Sequence, residues 1–261
     1  MNAWLIANDF RGVTFFGQDW GGMIGLRVVA DQPDRFDRVV ISNTGLLRPP
    51  TDAPAEELRA VEALKASPRT PTLIEMGRAL RGMSGESKLL KFATWQKFTW
   101  ETEDLPIGLM MYLGTSHESR LSTAINLGLR RLGMGKIAKS SLVKAYEAPY
   151  PDTSYKMGAR AMPSRVPTLP GDTSTEAQLR AWSVFDKFEK PFLCAFADDD
   201  PITASQEAEF RQRIPGAKGQ PHKTISGGGH FVQENRPEEL SKTIIEFVRA
   251  TPTRAPLSPR P

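Results

Sequence analysis

The residues Gly17-Gln18-Asp19-Trp20-Gly21-Gly22 follow directly on the apolar run Val13-Thr14-Phe15-Phe16. Strand, sharp turn, helix is the predicted order, and the string has the form of a nucleophile elbow with an aspartate in place of the serine. Gly17 and Gly21 frame the turn, where strand and helix crowd each other, so a side chain at either position is expected to clash. The residue between them is pushed out at the carboxyl end of the strand, above a helix N-terminus. A carboxylate held there attacks an electrophile without a base to deprotonate it first. The same string also suits an ordinary strand-to-helix turn in which Asp19 caps the helix, so the rest of the chain has to decide between the two.

Two further pieces bear on that choice. The predicted strand Phe192 to Ala197 ends in Asp198-Asp199-Asp200-Pro201-Ile202, and the short strand ending at Ser226 runs into Gly227-Gly228-Gly229-His230-Phe231. Taken singly, the first is an N-cap with solvated charge and the second a surface loop. Together they give nucleophile, acid and histidine in order, each after a predicted strand. Both loops fall at the carboxyl ends of parallel strands, the edge where α/β sheets place their ligands. The glycines before His230 allow the sharp backbone turn that brings an imidazole over that edge. His117 and His222 lie in no such context and are assigned no role.

The elements that must carry these loops can be read from periodicity. Met23 to Ala30 reads as a buried helix stopped near Pro33, and Arg38 to Asn43 as the next strand, a strand–helix–strand unit with parallel pairing. From about Pro49 to Phe185 the pattern is helical with proline-rich loops (helices over Ala55 to Ala66, Leu73 to Leu80 and Glu86 to Phe98). It is expected to be a lid or cap inserted between two strands of an α/β core. The core resumes with the strand Phe192 to Ala197, a helix over Gln206 to Ile214, the strand Lys223 to Ser226 and a last helix marked by Leu240, Ile244, Phe247 and Val248. The expected domains are 1–48 and 187–250 for the core, 49–186 for the helical cap and 251–261 for a disordered tail.

Composition bounds the function classes. A chain of 261 residues, 39% hydrophobic and 25% charged, suits a soluble globular protein. No apolar run reaches the roughly 18 residues of a membrane span, and the N-terminus does not have the pattern of a signal peptide. The single cysteine, Cys194, sits inside a predicted strand as a small buried hydrophobe, and a reducing cytoplasm is the expected location. A net charge of +4 is too small for a dedicated nucleic-acid binder. The basic excess is local: Arg120, Arg130, Arg131, Lys136, Lys139 and Lys144 lie between Ser119 and Tyr146 with no acidic residue among them. Leu121, Ile125 and Leu132 recur there at helical spacing, which predicts a basic solvated face over a core, a membrane-surface or polyanion contact being the alternative.

With these motifs in place the chain resembles the haloalkane dehalogenases of the α/β-hydrolase superfamily. That family carries Gln-Asp-Trp-Gly-Gly at the elbow, Asp-Pro-Ile after a late strand and Gly-Gly-His-Phe-x-Gln-Glu around the histidine. Here these read Gln18 to Gly22, Asp200-Pro201-Ile202 and Gly228 to Glu234. The segments Ala148 to Tyr155 and Gly216 to Pro221 are similar as well. The resemblance implies an α/β-hydrolase fold, mostly a parallel sheet with a helical cap, acting on a small-molecule substrate and water with no metal or organic cofactor. It implies Asp19 as nucleophile, His230 as base on water and Asp200, the aspartate directly before Pro-Ile, as its acid partner. Trp20 would hold the leaving halide by its indole N–H and supply one oxyanion donor by its backbone N–H. A second halide-holding tryptophan is expected in the cap. The stretch around Gly114 or Met134 has none, which leaves Trp95 as the candidate.

The family pattern also places about four strands before the elbow strand, where this chain has the short helical lead Met1 to Arg11. The resemblance therefore implies a sheet half and a second oxyanion donor outside this sequence. Either an upstream reading frame supplies them, or the chain is a shortened and inactive remnant. Epoxide hydrolysis is the other alternative. It uses the same Asp–His–Asp set with cap tyrosines, and Tyr112, Tyr146, Tyr150 and Tyr155 are available for it.

Overall fold

The computed structural model describes residues 1–47, 52–83, 86–115 and 120–252. His117 and residues 253–261 of the expected tail lie outside the described residues. In chain order the elements are α1 (Asn2–Ala7), β1 (Val13–Gln18), α2 (Asp19–Asp31), β2 (Phe36–Ser42), α3 (Ala55–Ala66), α4 (Leu73–Arg81), α5 (Lys88–Glu101), α6 (Ile107–Thr115), α7 (Arg120–Arg130), α8 (Gly135–Lys139), α9 (Ser141–Glu147) and α10 (Met157–Ala161). Then follow α11 (Thr175–Phe185), β3 (Phe192–Ala197), α12 (Glu207–Arg213), β4 (Lys223–Ile225), α13 (Val232–Asn235) and α14 (Pro237–Ala250). Contacts divide the chain into two compact units, Met1–Thr51 with Leu169–Pro261, and Asp52–Thr168.

The first unit is built on a four-stranded sheet of order β1-β2-β3-β4, parallel throughout. β2 and β3 are nearly continuous apolar runs because both of their faces are covered, as parallel strands require. Val39, Ile41, Phe192, Cys194 and Phe196 pack with Leu26 and Val29 of α2, Trp182 and Phe185 of α11, and Phe210 of α12. On the opposite face Val40 and Leu193 meet Phe247 of α14, while Ala195 and Ile225 meet Leu240. Gln18 pairs in register with Ser42, and Ala197 with Ile225, so the strands end on one common edge. β1 is hydrogen-bonded to β2 alone among the described strands, and its Phe16 is exposed. The helix α11, which the sequence groups with the inserted helices, packs in this unit against α2. Its Trp182 is buried, donates from Nε1 to the Leu46 carbonyl at 2.6 Å, and stacks on Phe210.

His222, assigned no role from sequence, replaces a strand partner near the junction of β3 and β4. Its Nδ1 accepts from the Cys194 N–H at 3.0 Å and its Nε2 lies 2.9 Å from the Ala217 carbonyl. With Nδ1 accepting, Nε2 must carry the proton. Burial lowers the imidazole pKa, which keeps that neutral tautomer. Cys194 is fully buried, and burial pushes its thiol pKa up.

The second unit is helical throughout its described residues. Thr72 and Glu75 form a reciprocal capping box at the start of α4, which satisfies two otherwise orphaned N–H groups. Met76, Phe98 and Leu105 form its small core, with Leu73, Leu80 and Trp95 packed against them. The α6 and α9 helices meet where a Cβ on Gly108 would lie 2.4 Å from the Val143 carbonyl oxygen. Lys156, buried, places its Nζ 2.6 Å from Asp104 and 2.9 Å from Glu147.

One expectation is corrected here. Leu121, Ile125 and Leu132 do not face a core; they are 72%, 53% and 72% exposed. The inward side of α7 is taken instead by Asn126, which donates to the Ser122 carbonyl and accepts from the Lys136 N–H. That polar closure of α7 on α8 fixes the rotation of the helix against its apolar period. Among the described residues no helix is long and apolar enough to cross a membrane.

Candidate active site

At the end of β1 the backbone turns abruptly, and Asp19 takes the left-handed conformation with φ of 46°. For a residue with a Cβ this is a strained geometry, of the kind that functional sites retain. Gly17 is needed as expected, since a Cβ there would sit 2.5 Å from the Phe15 ring and 2.7 Å from Gly22 Cα. Gly21 is not: a Cβ there meets nothing within 4 Å. The crowded partner is Gly22, where an added Cβ would lie 2.2 Å from Thr44 Oγ1. The helix is therefore pressed against the chain leaving β2, not against its own strand at Gly21. Thr44 Oγ1 donates to the Asp19 carbonyl at 2.7 Å, and the Asp19 N–H donates to the Asn43 carbonyl at 3.0 Å.

The three aspartates after β3 do different things. Asp198 accepts from Ser226 Oγ and the Gly227 N–H at 2.8 and 3.0 Å. Asp199 accepts from the Gly229 N–H at 2.7 Å. These two fasten the glycine loop to the β3 end, and Gly227 and Gly229 adopt positive φ (66° and 58°) to let it turn. Asp200 is the one whose side chain is fully buried. It accepts from the Ile202 and Thr203 N–H groups at 2.9 and 3.1 Å and from the Thr203 hydroxyl. Its Oδ1 lies 3.0 Å from His230 Nδ1.

On the other side of the same ring, His230 Nε2 lies 3.4 Å from Asp19 Oδ1. Asp19, Asp200 and His230 are thus brought together although 211 positions separate the first from the last. Burial opposes a charge on the imidazole, but its hydrogen bonds to Asp19 and Asp200 outweigh it and raise the His230 pKa to about 9. Burial likewise opposes ionisation of Asp200, and the His230 contact with the Thr203 and Ile202 donors overcomes it, so this carboxyl lies below its usual range. Trp20 follows Asp19 in the first turn of α2, where backbone N–H groups have no partner within the helix.

Of the tryptophans in the expected cap range, Trp182 has its indole N–H bonded within the sheet unit and Trp100 is exposed. Trp95 lies edge-on to Phe92 with a buried Nε1 that has no acceptor among the described residues. A groove of about 570 Å³ along α14, lined in part by Leu193, Lys223, Glu239, Lys242 and Phe247, contains none of the three clustered groups. Sequence reasoning missed Asn43, Thr44, Gln18 and Thr203. The available signal was a polar residue, Asn43, ending an apolar strand on the same edge as the elbow.

A family model for the alpha/beta hydrolase fold matches residues 3–237. A haloalkane dehalogenase from Psychrobacter cryohalolentis is 36% identical over 245 residues, covering 94% of this chain and 63% of that protein. One from Mycolicibacterium paratuberculosis is 34% identical over 248 residues, covering 95% and 64%. The chain thus spans a little under two thirds of the length of these relatives. The crystal structure of haloalkane dehalogenase DbeA from Bradyrhizobium elkani superposes with a TM-score of 0.62 at 14% identity, covering 96% of this chain and 71% of that one, a likeness of fold. Matched by the fold model over most of its length, the chain belongs to the α/β-hydrolase fold family.

Proposed function

We propose that the protein hydrolyses small alkyl halides to an alcohol and halide through an ester at Asp19. The observation that carries this reading is one buried imidazole set between two carboxylates, 3.0 Å from Asp200 and 3.4 Å from Asp19. Asp19, presented from a strained turn, attacks the halogen-bearing carbon; the C–O bond forms as the carbon–halogen bond breaks, and the halide leaves with the electron pair. The indole N–H of Trp20 holds the halide. Esterification neutralises Asp19. His230 then loses one of the two anions that raise its pKa, and becomes a competent base as the second step begins. It takes a proton from water at Nε2, while Asp200 stabilises the imidazolium through Nδ1. The resulting hydroxide adds to the ester carbonyl, the backbone N–H of Trp20 stabilises the oxyanion, and collapse expels the alkoxide, which takes the proton back from His230 and leaves as the alcohol, while the carboxyl group formed at Asp19 gives its proton to solvent.

The single buried cysteine supports a cytoplasmic setting. The test is halide release from 1-bromobutane or 1,2-dibromoethane, set against hydration of styrene oxide. Halide release lost in Asp19→Asn supports the proposal. Turnover of styrene oxide without halide release would transfer the same three groups to epoxide hydrolysis, and turnover retained in Asp19→Asn would remove Asp19 as the nucleophile.

A further inference from the structure

We infer that Asn43 is a positioning residue that holds the nucleophile turn, the acid loop and the histidine loop in mutual register. It follows directly on β2 and is fully buried. β2 lies between β1 and β3 in the sheet, so its end is the one place that neighbours both the elbow and the acid loop. Four contacts of Asn43 run to three separate segments. Its backbone carbonyl accepts from the Asp19 N–H at 3.0 Å. Its Oδ1 accepts from the Ala197 N–H, at the end of β3, at 2.8 Å. Its Nδ2 donates to the carbonyls of Gly229 and His230 at 2.6 and 2.9 Å.

The amide is used at both ends, with its two donors facing two carbonyls and its acceptor facing an N–H, which fixes its orientation. To reach all of these, Asn43 adopts φ of 41°, a conformation in which Asn is enriched among residues with a side chain. The His230 carbonyl also accepts from Gln18 Nε2 at 2.9 Å, a side-chain contact that reaches the histidine loop and not the acid loop. The imidazole contacts of 3.0 and 3.4 Å are therefore set by a peptide unit whose place depends on Asn43. A displacement of about 1 Å at such a site can slow the chemical step on the order of a hundredfold.

The inference rests on the ester mechanism for its kinetic readout, and a titration independent of turnover keeps the two separable. Asn43→Gly preserves the left-handed backbone and the Asp19 N–H contact while removing the amide. With 1-bromobutane, kcat is expected to fall roughly a hundredfold, while kcat/KM, which reports alkylation by Asp19, holds within about tenfold. The ester at Asp19 should then accumulate, visible by mass spectrometry. In NMR titration the His230 imidazole, raised to about 9 in the native protein, should move toward the ordinary histidine value as the ring leaves its carboxylates. If kcat and kcat/KM fall together, or neither falls, and His230 titrates as before, Asn43 has no positioning role. If the native protein releases no halide, the dehalogenation reading fails, and the titration alone decides for or against Asn43. Asn43→Ser serves if the glycine variant does not fold, since its hydroxyl can still meet the Ala197 N–H but cannot reach both carbonyls. Failure of both variants to fold would overturn the inference in favour of a purely structural part.

Discussion

At the scale of single residues, the site turns on how one imidazole divides its two nitrogens between two carboxylates. His230→Gln leaves Asp19 able to attack but removes the base, so the expected outcome is about one equivalent of halide per protein and then arrest, with the alkyl group retained on Asp19 in a mass spectrum. The pH dependence has a definite sign. In the free protein His230 is raised to about 9 by its contacts with both carboxylates. Once Asp19 is an ester, only Asp200 supports the charge, so kcat limited by ester hydrolysis should rise with pH through a value below 9 and level off above it. Rapid-quench measurement of the hydrolysis step across pH checks this, and a midpoint at or above 9 contradicts it. Asp19, Asp200 and His230 were legible as residues because each stands where a glycine or strand end marks the backbone locally. Asn43 was not, because its four contacts run to partners 24 to 187 positions away.

At the scale of elements, the elbow offers a paired test. Gly22→Ala drives a Cβ to within 2.2 Å of Thr44 Oγ1, so α2 or the chain after β2 must move. The expected cost is about 1–3 kcal/mol, read as a lower thermal midpoint, with activity lost as the Thr44 contact to the Asp19 carbonyl shifts. Gly21→Ala meets nothing and exchanges glycine for a better helix former, worth up to about 1 kcal/mol; stability at or above the native level is expected. Sequence alone pointed to Gly17 and Gly21 alike as crowded positions because the motif is symmetric about Asp19. The sheet breaks that symmetry, since the strand meets the helix where Gly17 faces Gly22, and Thr44 of the segment after β2 presses on Gly22 as well. The rotation of α7 was misread for a similar reason. Helical period finds an apolar stripe, but a buried polar contact, here Asn126 with Lys136, decides which side turns inward.

For the whole molecule, the buried His230 and the half-buried His222 tilt stability against pH in opposite directions. His230 has a folded pKa above its unfolded value of about 6.5, so its contribution is complete below about 6.5 and is lost as pH rises through about 9. His222 has a folded pKa below its unfolded value, so its contribution is complete above about 6.5 and is lost as pH falls from there. Asp200, with a lowered pKa, adds to the loss on the acid side. The thermal midpoint should therefore peak near neutral pH, and His230→Gln should flatten the alkaline limb and weaken the Asp200 part of the acid limb, leaving the part due to His222. Melts followed by circular dichroism from pH 4 to 10 test this; an unchanged alkaline limb in the variant would count against the assigned coupling.

What the sequence determined by itself was the set of chemical groups and the strand ends that carry them. Apolar runs, glycines and helix stops act over a few residues, and the parallel sheet brings their carboxyl ends to one edge without further information. What only the tertiary structure decided was which glycine is pressed, which side of α7 turns inward, and that an asparagine after β2 ties the loops together. These depend on packing between segments far apart in the chain, where a shift of an ångström changes the partner and local periodicity says nothing about it.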